Sequence, residues 1–156
     1  MTDSEIEAKL AQLGLVLPVP AAPVAAYVPV VLAGGLAHVS GQLPFIDDVL
    51  VKGRLGDDVT IGEGYEAARA CGLMILAQLK AALGSLSRVE RIVKLGAFVC
   101  SADDFTDQPK VANGASELMA AIFGDAGKHA RSAVGVPVLP LGAVVEVDAI
   151  AAVRPA

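Results

Sequence analysis

The chain is poor in aromatic and charged residues. It has 156 residues and no tryptophan; aromatic residues make up 4% of it and charged residues 19%. Hydrophobic residues make up 54% of the chain. A chain with so many hydrophobic and so few charged residues is not intrinsically disordered. So much apolar surface on a small domain predicts that a partner subunit covers part of it.

The sequence also lacks any basic run. Its 12 Lys and Arg are scattered and are outnumbered by 17 Asp and Glu, which gives a formal net charge of −5. Binding the phosphate backbone of nucleic acid requires a basic footprint. We therefore expect no nucleic-acid partner.

Cysteine and histidine are scarce. Cys71 and Cys100 lie far apart in apolar contexts without a C-x-x-C pair, and His38 and His129 are not spaced as metal ligands. We expect buried free thiols and no disulfide or metal site. The acidic N-terminus has no basic region and no long apolar run, which predicts neither a signal peptide nor a membrane span. We expect a cytoplasmic protein with no membrane partner.

The N-terminal region predicts one short helix followed by an extended linker. Ser4 and Glu7 have the spacing of a capping box, and Gly14 is suited to end the helix. Prolines at positions 18, 20 and 23 disfavour any continuation of that helix. We therefore assign residues 1–24 to a helix and a Pro-rich linker.

The remaining chain alternates β-rich runs with two segments of helical periodicity. The helical segments are residues 63–83 and 108–123. The β-rich runs are residues 28–32, 36–40, 49–51, 92–100, 131–136 and 144–153. Residues 33–35 indicate a hairpin, residues 87–90 a turn and residues 124–128 a loop. The run 92–100 is apolar enough to be buried on both faces.

This order of elements predicts one domain over residues 1–156, with residues 25–153 as its core. The economical packing is an α+β two-layer sandwich, in which one mixed β-sheet carries two helices on one face. The other face of the sheet is expected to be apolar as well. The simplest cover for it is another copy of the chain.

Two charged residues, Arg131 and Glu146, stand in valine-rich, strand-like sequence. A buried charge is costly unless it is paired, so the two residues are either partners or walls of a polar pocket. In the second case Arg131 would bind an anionic small molecule, because a guanidinium grips a carboxylate with two parallel hydrogen bonds. We expect burial to raise the pKa of Glu146 and Arg131 to lower it.

Several short strings occur in an order that is specific in combination. They are Tyr27, SGQLP at 40–44, VKL at 93–95, DF at 104–105, Asn113, ARSAV at 130–134, LP at 139–140, VEV at 145–147 and AIA at 149–151. Together they resemble the Rid family of reactive-intermediate deaminases, also called YjgF-like or endoribonuclease L-PSP proteins. The extra N-terminal helix and the string at 113–116 resemble a longer subgroup.

The resemblance implies a YjgF-like (chorismate-mutase-like) fold that forms a homotrimer with clefts between subunits. It also implies hydrolysis of amino-acid enamines and imines, such as 2-aminoacrylate, to 2-keto acids and ammonia. No metal or organic cofactor is expected. By the same resemblance, Arg131 corresponds to the residue that clamps the substrate carboxylate, and Glu146 to the acid that positions the attacking water.

The same resemblance implies further residues that line this cleft. The resemblance assigns Ser40 and Asn113 to it, with Tyr27 reaching in from the adjoining subunit. Ala133 stands where the family often has cysteine, so it supplies a backbone N–H and no thiol. His129 would be either a proton shuttle or, as we favour, a surface-loop histidine.

Less specific interpretations remain open. Arg131 and Glu146 could form a structural ion pair, Tyr27 could be an interface aromatic, and Ser40 and Asn113 ordinary packing groups. A second function would be non-catalytic binding of a small carboxylate or keto acid at the same cleft, with a regulatory role. The acidic charge of the chain argues against a ribonuclease.

Overall fold

A computed structural model describes residues 1–20, 22–23 and 26–156. The predicted boundary between linker and core, at residues 24 and 25, lies outside the described residues. The helices are α1 (Asp3–Gln12), α2 (Ile61–Leu83) and α3 (Gln108–Phe123). The strands are β1 (Val30–Ala33), β2 (Leu36–Gln42), β3 (Phe45–Ile46), β4 (Val49–Leu50), β5 (Val89–Cys100), β6 (Ala130–Val136) and β7 (Val145–Val153). None of the described helices is both long and apolar enough to cross a membrane.

Five strands form one mixed sheet in the order β1-β2-β7-β5-β6. Among the strands that the structure describes, only β5 and β6 run parallel, and β3 and β4 form a separate small hairpin. Helices α2 and α3 pack against each other and against the same face of the sheet. The predicted α+β two-layer sandwich is therefore confirmed.

The two faces of the sheet differ in their cover. Along β7, Val145 and Val147 are buried toward the helices, whereas the residues between and after them, Glu146 and Asp148, are only partly buried. We call the side away from the helices the open face. On β5 the open face carries Phe98, which is 36% exposed in the single chain. The prediction that residues 92–100 are buried on both faces is therefore wrong for one chain alone.

Helices α1 and α2 both begin with a capping box, but the box of α1 is not formed by the predicted residues. Helix α1 is capped by Thr2, whose Oγ1 accepts from the backbone N–H of Glu5 while the Glu5 carboxylate accepts from the backbone N–H of Thr2. The predicted box of Ser4 and Glu7 is wrong. The same S/T-x-x-E pattern occurs in both registers, and the earlier one is used.

Strand boundaries differ from the prediction by a few residues. Strand β1 begins at Val30 rather than at residue 28, and β2 continues to Gln42 rather than ending at residue 40. Residues 87–90 are not one turn, because a 3₁₀ helix spans Leu86–Arg88 and β5 begins at Val89, which pairs with β7. The hairpin between β1 and β2 is confirmed: Gly34 and Gly35 both adopt positive φ, as a two-residue turn there requires.

Candidate functional site

Arg131 is anchored to α3 from the edge of the sheet. It lies on β6, opposite Leu95 of β5, and none of the described strands pairs with the other side of β6. Its Nη1 donates to Asn113 Oδ1 at 2.9 Å and to Ser116 Oγ at 3.1 Å. No further partner of its side chain occurs among residues 1–20, 22–23 and 26–156. The Nε and Nη2 donors of this partly exposed guanidinium are therefore available to a ligand.

His129 extends this group of polar side chains. Its Nε2 lies 2.9 Å from Ser116 Oγ, and its Nδ1 lies 2.6 Å from the carbonyl oxygen of Gly127. His129 lies in the loop before β6, as the favoured prediction had it, but its ring is only partly exposed and both of its nitrogens have partners. Burial lowers the pKa of His129, the bond to Gly127 opposes this, and the nearby Arg131 charge adds to it.

Sequence reasoning did not single out Ser116 as a site residue. Asn113 and Ser116 are three residues apart on α3, so they lie on one face of the helix and meet the same guanidinium. That spacing is the signal that could have identified Ser116. Its contact with His129 depends on how the turn after α3 packs, which local sequence does not reveal.

Glu146 lies on the open face, against a bulge in β2. Val39 pairs with Ala149 and Gln42 with Val147, so the two intervening residues of β2, Ser40 and Gly41, face one residue of β7. A Cβ atom at position 41 would overlap Glu146 Oε1. Glycine is thus required at that position for the carboxylate to stay where it is.

The pKa of Glu146 is raised by burial and, to a smaller extent, by the neighbouring carboxylate of Asp148. Burial also raises the pKa of Asp148, against a backbone hydrogen bond from Gly96 and the charge of Lys94. Within one chain Arg131 does not contribute to the pKa of Glu146, so the predicted lowering by Arg131 does not occur in the single chain. A carboxylate whose protonated form is favoured can exchange a proton with water more readily near neutral pH.

Arg131 and Glu146 are not an ion pair within one chain. Strand β5 lies between their strands, and their partners on it, Leu95 and Phe98, are three residues apart and point to opposite faces. Arg131 reaches the helix side, where α3 binds it, whereas Glu146 lies on the open face. The alternative of a structural Arg131–Glu146 pair is therefore excluded for the single chain.

Two buried amides hold the bulge that carries Ser40. Gln42 Nε2 donates to the Ser40 carbonyl oxygen at 3.0 Å and approaches Ser40 Oγ at 3.4 Å. Gln42 Oε1 in turn accepts from Gln78 Nε2 of α2 at 3.4 Å. Gln42 was not predicted as a site residue, although it belongs to the SGQLP string. The amide pair gives the bulge a fixed shape beneath Glu146.

The remaining predicted site residues are dispersed. Tyr27 is 47% exposed in the segment before β1, at the edge of the sheet opposite to β6. Ala133 lies two residues after Arg131 on β6 and packs partly against the core. One chain therefore brings Arg131 together with Asn113 near Ala133, and keeps Tyr27 at the far edge.

Two cavities formed by the described residues bear on the candidate site. A shallow pocket of about 320 Å³ lies beside Arg131 and His129 and is also lined by Ser116 and Lys128. A roomier cavity of about 750 Å³ lies between residues 14–20, the β3–β4 hairpin and α2, and contains no predicted site residue. In the described ranges no three His, Cys, Asp or Glu side chains are grouped to hold a metal ion.

Comparison with known proteins assigns the family. The profile of the family described as "YjgF/chorismate mutase-like, putative endoribonuclease" matches residues 7–153. The chain belongs to this YjgF-like family. Protein TCP17 of Trypanosoma cruzi is 51% identical over 152 residues, which cover 96% of this chain and 95% of that protein. The family predicted from the short strings is confirmed.

Two solved structures resemble this chain over most of its length. A protein of unknown function from Agrobacterium tumefaciens superposes with a TM-score of 0.92 at 45% identity, covering 97% of this chain and 94% of that one. RidA from the Antarctic bacterium Psychrobacter superposes with a TM-score of 0.58 at 28% identity, covering 86% and 94%. The YjgF-like chain is thus similar over nearly its whole length to the first structure.

Proposed function

We propose that this YjgF-like protein hydrolyses amino-acid-derived enamines and imines of the 2-aminoacrylate type to 2-keto acids and ammonia. The observation that supports this most is the state of Arg131. Asn113 and Ser116 hold its Nη1, and Nε and Nη2 remain as two adjacent donors. Two parallel N–H donors in one plane match the two oxygens of a carboxylate.

The reaction makes modest demands on the protein. An enamine first tautomerises to its imine, by gaining a proton on the terminal carbon and losing one from nitrogen. Water then adds to the carbon of the C=N bond and the nitrogen gains a proton. The adduct finally loses its hydroxyl proton, and a C=O bond forms as ammonia leaves. Glu146 is suited to take the proton from water and to return it to the leaving nitrogen, because its pKa is raised. Arg131 holds the substrate carboxylate while these proton transfers occur.

One ligand can contact both residues only if two copies of the chain meet. Arg131 lies on the helix side of an edge strand and Glu146 on the open face of the same sheet, so the edge of one copy must approach the open face of another. Tyr27 lies before β1, at the opposite edge of the sheet, and we propose that it enters a neighbour's cleft. We propose a homotrimer with three such clefts, in which Arg131 and Glu146 of each cleft come from different copies.

The assembly has a direct physical test. The open face exposes Phe98 and Val134, and a second copy would remove that apolar surface from water. We expect light scattering to give about three times the chain mass of 15.8 kDa. Val134→Glu should shift the protein toward smaller species with unchanged helix content. A parent protein that stays monomeric at micromolar concentration would contradict the proposed cleft.

The activity is tested by coupling the protein to an imine source. A pyridoxal-phosphate enzyme would generate 2-aminoacrylate or its longer homologue, and release of the 2-keto acid would be followed over time. We expect the rate of keto-acid release to rise in proportion to the added protein. Keto-acid binding without acceleration would instead support the non-catalytic binding function. Cleavage of a labelled RNA, without acceleration of imine hydrolysis, would support a ribonuclease.

The acidic side of the pH profile should respond to Asp148. If ionised Glu146 is the base, activity falls as the pH drops through its raised pKa. Asp148→Asn removes a neighbouring negative charge, so the pKa of Glu146 should fall and the acidic limb of kcat/KM should move to lower pH. The amide oxygen of asparagine can still accept from Gly96. An acidic limb at the same pH in the parent and the variant would count against Glu146 as the base.

A further inference from the structure

The hydrogen bonds behind Arg131 have a defined direction. A carbonyl oxygen only accepts, so the 2.6 Å contact with Gly127 places a proton on His129 Nδ1. In the neutral ring Nε2 is then an acceptor, and it receives the hydroxyl proton of Ser116 at 2.9 Å. Ser116 Oγ consequently directs a lone pair toward Arg131 Nη1, 3.1 Å away.

We propose that Ser116 and His129 are positioning residues that fix the plane of the Arg131 guanidinium. They thereby set the direction in which Nε and Nη2 meet the ligand carboxylate. The inference rests on the proposed function for its ligand and adds to it two residues that do not touch the substrate. It concerns the Arg131 side chain itself, so it can be tested without turnover.

The geometry of Nη1 explains why two acceptors are needed. Both hydrogens of Nη1 lie in the guanidinium plane, and one bonds to Asn113 while the other bonds to Ser116. With both bonds made, the plane is fixed and the Nε–Nη2 edge faces outward. If one of these two hydrogen bonds is lost, the guanidinium can turn about the hydrogen bond that remains. A long, flexible side chain that is already ordered loses less rotamer freedom when the ligand binds.

His129 explains why the serine keeps this orientation. A serine within a helix readily donates its hydroxyl proton to the backbone carbonyl one turn earlier, which would turn Oγ away. Because the Ser116 hydroxyl donates its proton to His129 Nε2, it does not donate to that backbone carbonyl. The ring is held there by a tight turn, because a Cβ at Gly127 would overlap the backbone carbonyl of Met119 on α3.

The test compares loss of the hydroxyl with its conservative replacement. Ser116→Ala removes the acceptor, His129→Phe keeps an aromatic ring but removes both nitrogens, and Ser116→Thr retains the hydroxyl. Ser132→Ala, which removes a hydroxyl next to Arg131 on the opposite side of β6, is the matched control. Binding of 2-oxobutyrate would be measured by calorimetry, and rotation of the Arg131 guanidinium about its Nε–Cζ bond by ¹⁵N NMR.

We expect Ser116→Ala and His129→Phe to speed guanidinium rotation and to weaken 2-oxobutyrate binding by about tenfold or more. KM for the imine should rise by a similar factor while kcat changes little, because the substrate is held less well in both ground and transition states. Ser116→Thr and Ser132→Ala should behave like the parent. A merely structural role would lower thermal stability without this split between KM and kcat.

Two results would overturn the inference. One is unchanged guanidinium rotation and 2-oxobutyrate affinity in both Ser116→Ala and His129→Phe. The other is an equal effect of Ser132→Ala. If the parent does not accelerate imine hydrolysis, the proposed function fails, but the NMR comparison still decides whether Ser116 and His129 order Arg131. If Ser116→Ala does not fold, His129→Phe supplies the same comparison.

Discussion

Replacing Arg131 by lysine should abolish the acceleration of imine hydrolysis while the assembly stays folded. Lysine keeps the positive charge but has no planar pair of donors, so the substrate carboxylate would meet a point charge at a different distance. Binding of a 2-keto acid should weaken by at least about 1.5–3 kcal/mol, the usual contribution of a hydrogen bond to a charged group. Arg131→Ala should have the same effect. Calorimetry and the coupled assay measure both quantities.

The structure indicates that these variants will fold. The Arg131 side chain is partly exposed, and its partners Asn113 and Ser116 are neutral, so its removal leaves no unpaired charge in the core. Arg91→Lys is a matched control, because Arg91 donates to the backbone carbonyls of Asp125 and Lys128 near the same turn. Parent-like binding and turnover by a folded Arg131→Lys protein would refute the carboxylate clamp.

Glu146→Gln should lower turnover by roughly 10²–10⁴-fold and leave keto-acid binding nearly unchanged. Glutamine preserves the shape of the side chain and one acceptor but cannot take the proton from water. The coupled assay under single-turnover conditions gives the chemical rate, and calorimetry gives the affinity. The mass measured by light scattering should stay that of the parent protein.

A second substitution separates the position of Glu146 from its chemistry. A Cβ at residue 41 would overlap Glu146 Oε1, so Gly41→Ala should displace the carboxylate and reduce turnover although every functional group is still present. Turnover like that of the parent in Glu146→Gln would assign Glu146 a structural role. Loss of turnover in Glu146→Gln but not in Gly41→Ala would mean that the carboxylate can act from another position.

The two-layer arrangement could be predicted from the sequence, because local periodicity shows which side of each helix and strand faces the core. Alternation along β7 assigns Val145 and Val147 to the core and Glu146 to the other face. Likewise, helical periodicity predicted Gln108–Phe123 with its bounds as observed. The family strings then brought Asn113 and Arg131 into one hypothesis, and the structure places them in contact.

Strand order could not be predicted in the same way. Strands β6 and β7 follow each other in the chain, and the sequence left open whether Arg131 and Glu146 contact each other directly. In the sheet, β5 lies between them, and its parallel pairing with β6 sets a register that no local pattern encodes. The Ser116–His129 contact escaped prediction for a related reason, because it depends on the packing of the Gly127 turn against α3.

The central claim is that each cleft takes Arg131 from one copy and Glu146 from another. Co-expression of Arg131→Ala and Glu146→Gln chains with different tags, followed by two affinity steps, isolates mixed trimers. In a cyclic trimer each mixed species, whatever its ratio, contains one cleft with both residues intact. The homotrimer of either variant contains none.

The measurement is the rate of keto-acid release by these mixed trimers in the coupled assay. We predict recovery to about one third of the parent rate, although each variant alone is inactive. If the purified mixed trimers stay as inactive as the two single variants, Arg131 and Glu146 do not act across subunits, and the proposed site is wrong.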